Sequence, residues 1–354
     1  MHIGIVILNW NTKSYLERFL PPLIESVEAF NDFANSRSAE IIVADSASTD
    51  GSIALVRSEF PSIRTIALDR NYGFTGGYNR AIKEIIDHPS SLPCDFFVLL
   101  NSDIEVERNW LAPLSEWMME HPDCGACGPK LHSWYERDKF EYAGAAGGLI
   151  DRFGYPFCRG RVMKKLEMDR GQYDSARDVL WITGACLMVR KDVWVGLNGL
   201  DDRFFAHMEE IDLCWRMQLE GWRVTVVPQS LVWHLGGGTL PSDSPQKLYL
   251  NFRNNRLLLE KNLGRTIGPR KAAARIRFRR VLDFCSAIIY LLSGKTEYFR
   301  SVIRAHRDAE KLLCQKGHTV PDTISGSKTG VRGIYGKCMI PRAVLGIRID
   351  TEKI

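Results

Sequence analysis

Residues 3–8 (IGIVIL) are a short, almost continuously apolar run rich in β-branched side chains, as in a strand buried on both faces. The run ends at the polar Asn9-Trp10-Asn11, and residues 14–30 then read as a helix. The same alternation follows three more times. Apolar 40–44 runs into polar 45–51 (DSASTDG) and a helix over 52–60; apolar 63–68 leads to a glycine-rich loop and a helix around 78–86; apolar 95–100 stops at Asn101-Ser102-Asp103. Strands and helices alternating with short connections predict an open α/β sheet, mostly parallel. In such sheets ligands bind beyond the carboxyl ends of the strands. All four polar clusters fall there, which makes them the first candidates for chemistry.

After Trp110 the pattern loosens. Residues 130–180 are rich in Gly, Tyr and Arg with weak periodicity, and an irregular segment or lid is expected. Regularity returns with apolar 181–189, helical 204–220 and strand-like 222–227. Near residue 264 the character shifts to basic helices, and beyond about 318 a loosely ordered end is expected. The chain thus divides into a body over 1–264 and a helical extension over 265–354.

Composition changes this picture in one respect. The 354 residues, 45% hydrophobic and 25% charged, exclude a disordered, collagenous or disulfide-scaffold protein. The net charge is only +5, but residues 265–354 carry 19 Lys/Arg against 7 Asp/Glu, while the first 264 carry 28 against 35. An acidic body with a basic tail points the tail at something anionic, a membrane surface or nucleic acid. A body without a broad basic surface disfavours nucleic acid. Nine irregularly spaced cysteines, with one lone C-x-x-C at Cys124 and Cys127, read as reduced thiols rather than a zinc site. No signal peptide is read at the start, and no apolar stretch reaches the roughly 18 residues of a spanning helix. A cytoplasmic protein, peripheral at most on the cytoplasmic face of the inner membrane, is expected.

Several clusters carry candidate chemistry. Asp45 closes a buried strand, where a carboxylate accepts hydrogen bonds from a base or from sugar hydroxyls; Asp50 either joins it or caps the next helix. Residues 71–80 (NYGFTGGYNR) either cradle a ligand, since glycines allow close backbone approach, or form a plain turn. Their spacing matches neither a dinucleotide fingerprint nor a P-loop. Asp103 at a strand end suits Mg2+ or Mn2+ shared with substrate phosphates. His234 is either a further ligand or an ordinary core histidine. Glu209, Glu210 and Asp212 open a helix, where the dipole favours acids; a carboxylate over the apolar side there is partly desolvated, as a general base requires.

Taken in order, these strings resemble family 2 glycosyltransferases of the bacterial rhamnosyltransferase-like branch. The matching stretches are 6–11 (VILNWN), 45–51, 71–79, 99–103 (LLNSD), 182–190 (ITGACLMVR), 209–216 (EEIDLCWR), Val227-Pro228, His234 and 253–256 (RNNR), covering roughly residues 3–262. The resemblance implies a GT-A fold and inverting, metal-dependent transfer of a sugar from a nucleotide-diphosphate donor, dTDP-rhamnose or a UDP-sugar. The acceptor it implies is a glycan or lipid-linked glycan in cell-surface polysaccharide synthesis.

Carried over, Asp45 is expected on the donor's base with Asn9 nearby. Asp50, Asn71, Gly73, Gly76, Asn79, Asn101 and Ser102 fall on the donor side. Asn101-Ser102-Asp103 takes the DXD position, with Asp103 and His234 at the metal, Mg2+ or Mn2+. Trp181, Gly184 and Ala185 fall on the acceptor side. The family's base is the Asp of a Glu-Asp pair; here it aligns with Glu210, whose extra methylene adds about 1.5 Å of reach, leaving Glu209 and Asp212 as alternatives. That change also leaves room for a non-catalytic nucleotide-sugar-binding partner in a glycan-assembly complex. The basic extension is expected either at an anionic membrane surface, where lipid-linked acceptors reside, or packed on the body or a second copy. The oligomeric state is open.

Overall fold

A computed structural model of the chain describes residues 1–33, 37–90, 92–142, 144–236, 244–315, 330–345, 347 and 349–354. The first half runs β1 (His2–Asn9), α1 (Lys13–Phe33), β2 (Ser38–Asp45), α2 (Ser52–Glu59), β3 (Arg64–Ala67), α3 (Gly73–Asp87), β4 (Phe96–Leu100), β5 (Ile104–Val106), α4 (Leu111–Glu120) and β6 (Cys124–Ser133). After the short strands β7 (Gly148–Asp151), β8 (Pro156–Cys158), β9 (Arg161–Val162), β10 (Lys165–Leu166) and β11 (Arg177–Asp178) come β12 (Cys186–Arg190), α5 (Lys191–Gly196), α6 (Glu209–Leu219) and β13 (Arg223–His234).

The apolar runs explain the layers. β1 lies between β2 and β4, parallel to both, so both its edges are paired, and with helices over both faces every residue but Leu8 is buried. Ile3, Ile5 and Ile7 join one core with α1 and α4, through Leu16, Leu20, Leu111 and Leu114. Val6 points into the other core with Tyr78 and Ile82 of α3 and Ile211 and Leu213 of α6. β3 extends the parallel ladder beyond β2. On the other side the sheet turns mixed, because β12 is antiparallel to both β4 and β6. β13 then runs parallel to β6. This is the α/β sandwich expected, mostly parallel in its first half.

Three expectations need correction. The glycine-rich stretch is not a loop: α3 starts at Gly73 and includes Gly76 and Gly77. Residues 130–180 are not uniformly irregular; β7 to β10 form a second, antiparallel sheet. The end of the chain also returns to the body. Within the tail expected to be loose, residues 316–329 lie outside the described residues, but β14 (Ile334–Tyr335) pairs with β7. α10 (Met339–Val344) is anchored there by the buried Met339, whose N–H donates to Asp151, and Glu352 accepts from Arg159.

Between these lie three helices, α7 (Pro245–Ile267), α8 (Pro269–Leu292) and α9 (Thr296–Cys314). α7 packs its buried Leu257 and Leu258 into the α6 side of the body, so a division at residue 264 cuts the last turn of that helix. No helix among the described residues is long and apolar enough to cross a membrane.

Candidate active site

The carboxyl ends of β1, β2 and β4 carry a closed set of polar partners. Asn9 and Asp45 are register neighbours, and Asn9 Nδ2 donates to Asp45 Oδ1 at 2.6 Å. The Ser48 N–H donates to Asp45 Oδ2 at 2.9 Å. Thr12 Oγ1 bridges the strands, donating to Asn9 Oδ1 at 2.5 Å and accepting from the Ser102 hydroxyl at 2.9 Å. The Asn101 N–H is held by the Ala185 carbonyl. Asn9, Asp45 and Ser102 are buried, and Asn101 is half-buried.

Other residues expected on the donor side are occupied by the scaffold. Asp50 accepts from the backbone N–H groups of Lys13 and Ser52, so it caps the starts of α1 and α2; despite some burial, the Ser52 hydroxyl and those N–H groups hold its carboxyl below the usual range. Asn71 Oδ1 accepts from the Gly73 N–H and starts α3. Asn79 clamps the 200–202 segment: it donates to the Leu200 carbonyl and Asp202 and accepts from the Leu200 N–H. The glycines serve packing. Gly73 has φ +71°, and a Cβ there would lie 2.5 Å from the Phe205 ring; one at Gly76 would lie 2.9 Å from Tyr72 Cβ.

Asp103, just past β4, meets His234, the last residue of β13. His234 Nε2 lies 3.2 Å from Asp103 Oδ1, and His234 Nδ1 lies 3.4 Å from Glu141 Oε1. Burial opposes charge on the imidazole, but the two carboxylates outweigh it and push its pKa up to about 10. Burial likewise opposes charge on Asp103, and His234 overcomes it, so the carboxyl stays below its usual range. Glu141 is the residue sequence reading missed; it lies in the stretch with weak periodicity, where no motif marked it. It also acts electrostatically on Lys247 of α7, which in turn acts on His207. Burial and that lysine hold His207 down to about 4, and its Nε2 is buried without a partner.

His207 leads directly into the acids of α6. The turn before them is strained: Phe205, His207 and Met208 all have positive φ, between 64° and 71°. α7 holds that turn in place. Asn254 Nδ2 reaches the carbonyls of Phe204, Ala206 and His207, and Arg253 reaches those of Arg203 and Phe204. These are two residues of the RNNR string, to which the sequence assigned no role.

The three acids diverge in environment. Asp212, an alternative base from sequence, is fully buried and accepts from Arg216, Lys261 and Asn262 at 2.8–2.9 Å. Burial would raise its pKa, but Lys261 and Arg216 hold it below the usual range, so it is an ion-paired anchor. Glu209 and Glu210 instead each have an Oε2 shielded from solvent with no hydrogen-bond partner. Burial, with Glu210 beside it, pushes Glu209 well above the carboxylate range. Burial pushes Glu210 to about 7 against the helix-start N–H groups. The opposition between desolvation and dipole, open in the sequence, resolves toward desolvation.

On the expected acceptor side only Gly184 reaches this point. A Cβ on it would lie 2.9 Å from Phe74 and 3.8 Å from Glu210 Cβ. Phe74 packs on Tyr78, whose hydroxyl donates to the Leu100 carbonyl, so Gly184 and α3 link Glu210 to the end of β4. Trp181 is buried, its indole N–H donating to the Leu149 carbonyl, and Ala185 is buried in the turn before β12. The Ala185 carbonyl also holds the Asn101 N–H at the end of β4.

Comparison with known proteins gives the family and the fold. The glycosyl transferase family 2 model matches residues 4–193, more than half of the chain, and the protein belongs to that family. It is 25% identical over 265 residues to an N-acetylglucosaminyl-diphospho-decaprenol L-rhamnosyltransferase of Mycobacterium tuberculosis, covering 73% of this chain and 83% of that one. It is 26% identical over 157 residues to the rhamnosyltransferase WbbL of Escherichia coli, covering 44% and 58%. In fold it is similar, at TM-score 0.51 and 13% identity over 89% of this chain and 88% of the other, to a mannosyltransferase of Pyrobaculum calidifontis determined with GDP-Man and Mn2+. The GT-A fold and glycosyl transfer as the class of reaction follow.

Proposed function

We propose that this glycosyltransferase moves a sugar from a nucleotide-diphosphate donor to a lipid-linked glycan with inversion at the anomeric carbon, Glu210 acting as the base. One observation carries the reading: a desolvated carboxyl poised at about 7, with a free oxygen, at the start of α6. A base with that proton affinity titrates near neutral pH, as efficient proton abstraction demands. Glu210 takes the proton of the acceptor hydroxyl, and that oxygen attacks the anomeric carbon from the side opposite the leaving diphosphate. Asn9, Asp45, Asn101 and Ser102 present the nucleoside end with a rigid polar rim. The relatives that transfer rhamnose favour dTDP-rhamnose, and the decaprenol-linked acceptor of one of them favours a lipid diphosphate glycan. A water-soluble donor and a lipid-bound acceptor meet at the cytoplasmic face of a membrane.

Asp103 and His234 fit a divalent cation. Their ligand atoms lie 3.2 Å apart, close to the separation of two neighbouring ligands each about 2.1 Å from one ion. Asp103 stays ionised, and His234 would release its proton to ligate. Mn2+ or Mg2+, when bound, supplies Lewis-acid stabilisation of charge on the diphosphate.

A thermal-shift panel of dTDP-, UDP- and GDP-sugars with and without Mn2+, followed by transfer to a polyprenyl-diphosphate-linked sugar, tests the reading. At about 100 times its Kd a ligand stabilises the fold by about 2.7 kcal/mol. A donor that raises Tm only with Mn2+, an effect lost in Asp103→Ala, and product of inverted configuration are expected. Donor binding without transfer or hydrolysis at any pH would leave a non-catalytic binder instead.

A further inference from the structure

The helix α8 buries an ion pair among Ala272, Ile276 and Ala287 and turns an apolar stripe outward. Its buried side carries Arg279 and Asp283, ion-paired at 2.7 Å, and the Asp283 carboxylate also lies 3.3 Å from His306 of α9. Its solvent side carries Val281, Phe284, Ile288, Ile289 and Leu292, exposed by 40–82%. These fall at i, i+3, i+7, i+8 and i+11, a single stripe about 16 Å long. The same stripe continues toward the helix start with the exposed Arg270 and Arg277. Asp283 is the only acid in α8, and it is buried.

Beside the stripe, α8 and α9 enclose an open groove of about 540 Å3. Arg280, Arg307 and Lys311 line it against one acid, Glu310, with Phe284 and Ile303 as apolar wall. His306 borders the groove, with a buried Nδ1 that has no partner.

We propose that this face docks on an anionic lipid bilayer, the stripe lying in the interface and the groove receiving a phosphate headgroup. An apolar stripe ringed by cations suits the boundary between headgroups and acyl chains. A second copy would offer the same stripe and the same excess of cations, with no exposed acid on α8 to pair with Arg270 and Arg277. The inference stands on the helix face alone and does not require the catalytic reading.

Flotation of the full chain with phosphatidylcholine vesicles and with vesicles half phosphatidylglycerol tests it. Binding to the anionic vesicles only, weakened by salt, is expected. Ile289→Glu with Leu292→Glu, both on exposed positions, should reduce binding about tenfold or more while the thermal melt stays unchanged; Arg277→Glu should act in the same direction. Equal binding to both vesicle types, no binding to either, or wild-type binding by the double variant would overturn the proposal. Sedimentation showing a dimer that the double variant abolishes would assign the face to self-association and overturn it too. At matched ionic strength, inorganic phosphate should not displace the protein from vesicles; full displacement there would mean the groove takes free phosphate and the bilayer claim is wrong.

Discussion

The carboxyl ends of β1, β2 and β4 and the start of α6 both collect buried polar side chains, yet they treat them in opposite ways. At the strand ends Asn9, Asp45, Thr12 and Ser102 bond one another until little is left over. At the start of α6, Glu209 and Glu210 each keep a buried oxygen without a partner, on a turn of left-handed residues. A satisfied buried network is rigid and specific, whereas an unsatisfied buried group costs stability unless something else binds it. In the proposed reaction the first region is a receiving frame, and the second supplies the base. Asp212, two residues from Glu210, is by contrast fully paired, with Arg216, Lys261 and Asn262.

Substitutions sharpen that contrast in descending order of effect. Glu210→Gln should lower the transfer rate by about 10²- to 10⁴-fold in a steady-state assay, while leaving the fold intact. Full activity in this variant would erase the distinction. Asp212→Ala strands Lys261 and Arg216 without their shared carboxylate, and chemical denaturation should show a loss of about 3–5 kcal/mol. Asn79→Ala opens the clamp on Leu200 and Asp202, and the same measurement should give about 1–3 kcal/mol. Asp50→Ala removes a cap from two helices and should cost about 1 kcal/mol; weakened nucleotide binding at unchanged stability would return Asp50 to the donor side.

Stability against pH carries the same signature. Glu210 has its folded pKa raised to about 7 from an ordinary value of 4.5. It therefore favours the fold fully below about 4.5, and that contribution is lost as pH rises through 7. Glu210→Gln should flatten this part of the curve, as denaturation midpoints between pH 5 and 8 would reveal.

The sequence exposed the frame better than the reactive end. Asn9, Asp45 and Asn101-Ser102-Asp103 could be found because each ends an unbroken apolar run, and strand ends in such sheets face the ligand side. The start of α3 was hidden because glycine reads as a helix breaker. Only tertiary contact explains it: Gly77 sits against Leu8, and Gly73 sits under Phe205. β7 to β10 were invisible since strands of two to four residues carry no measurable period, and Glu141 lies between β6 and β7 in no regular element. The α6 acids were legible as candidates but not in their roles, because the choice rests on Lys261 and Asn262, about fifty residues away in the chain.

The central claim is that burial has tuned Glu210 to take a proton near neutral pH. The pH profile of kcat/KM for sugar transfer, which reports the free enzyme's essential base, tests it most directly. A rate that climbs through pH 7 in the wild type, with that limb gone in Glu210→Gln, is the predicted result. A wild-type profile flat from pH 5 to 8, or the same limb persisting in the variant at an undiminished rate, would contradict it.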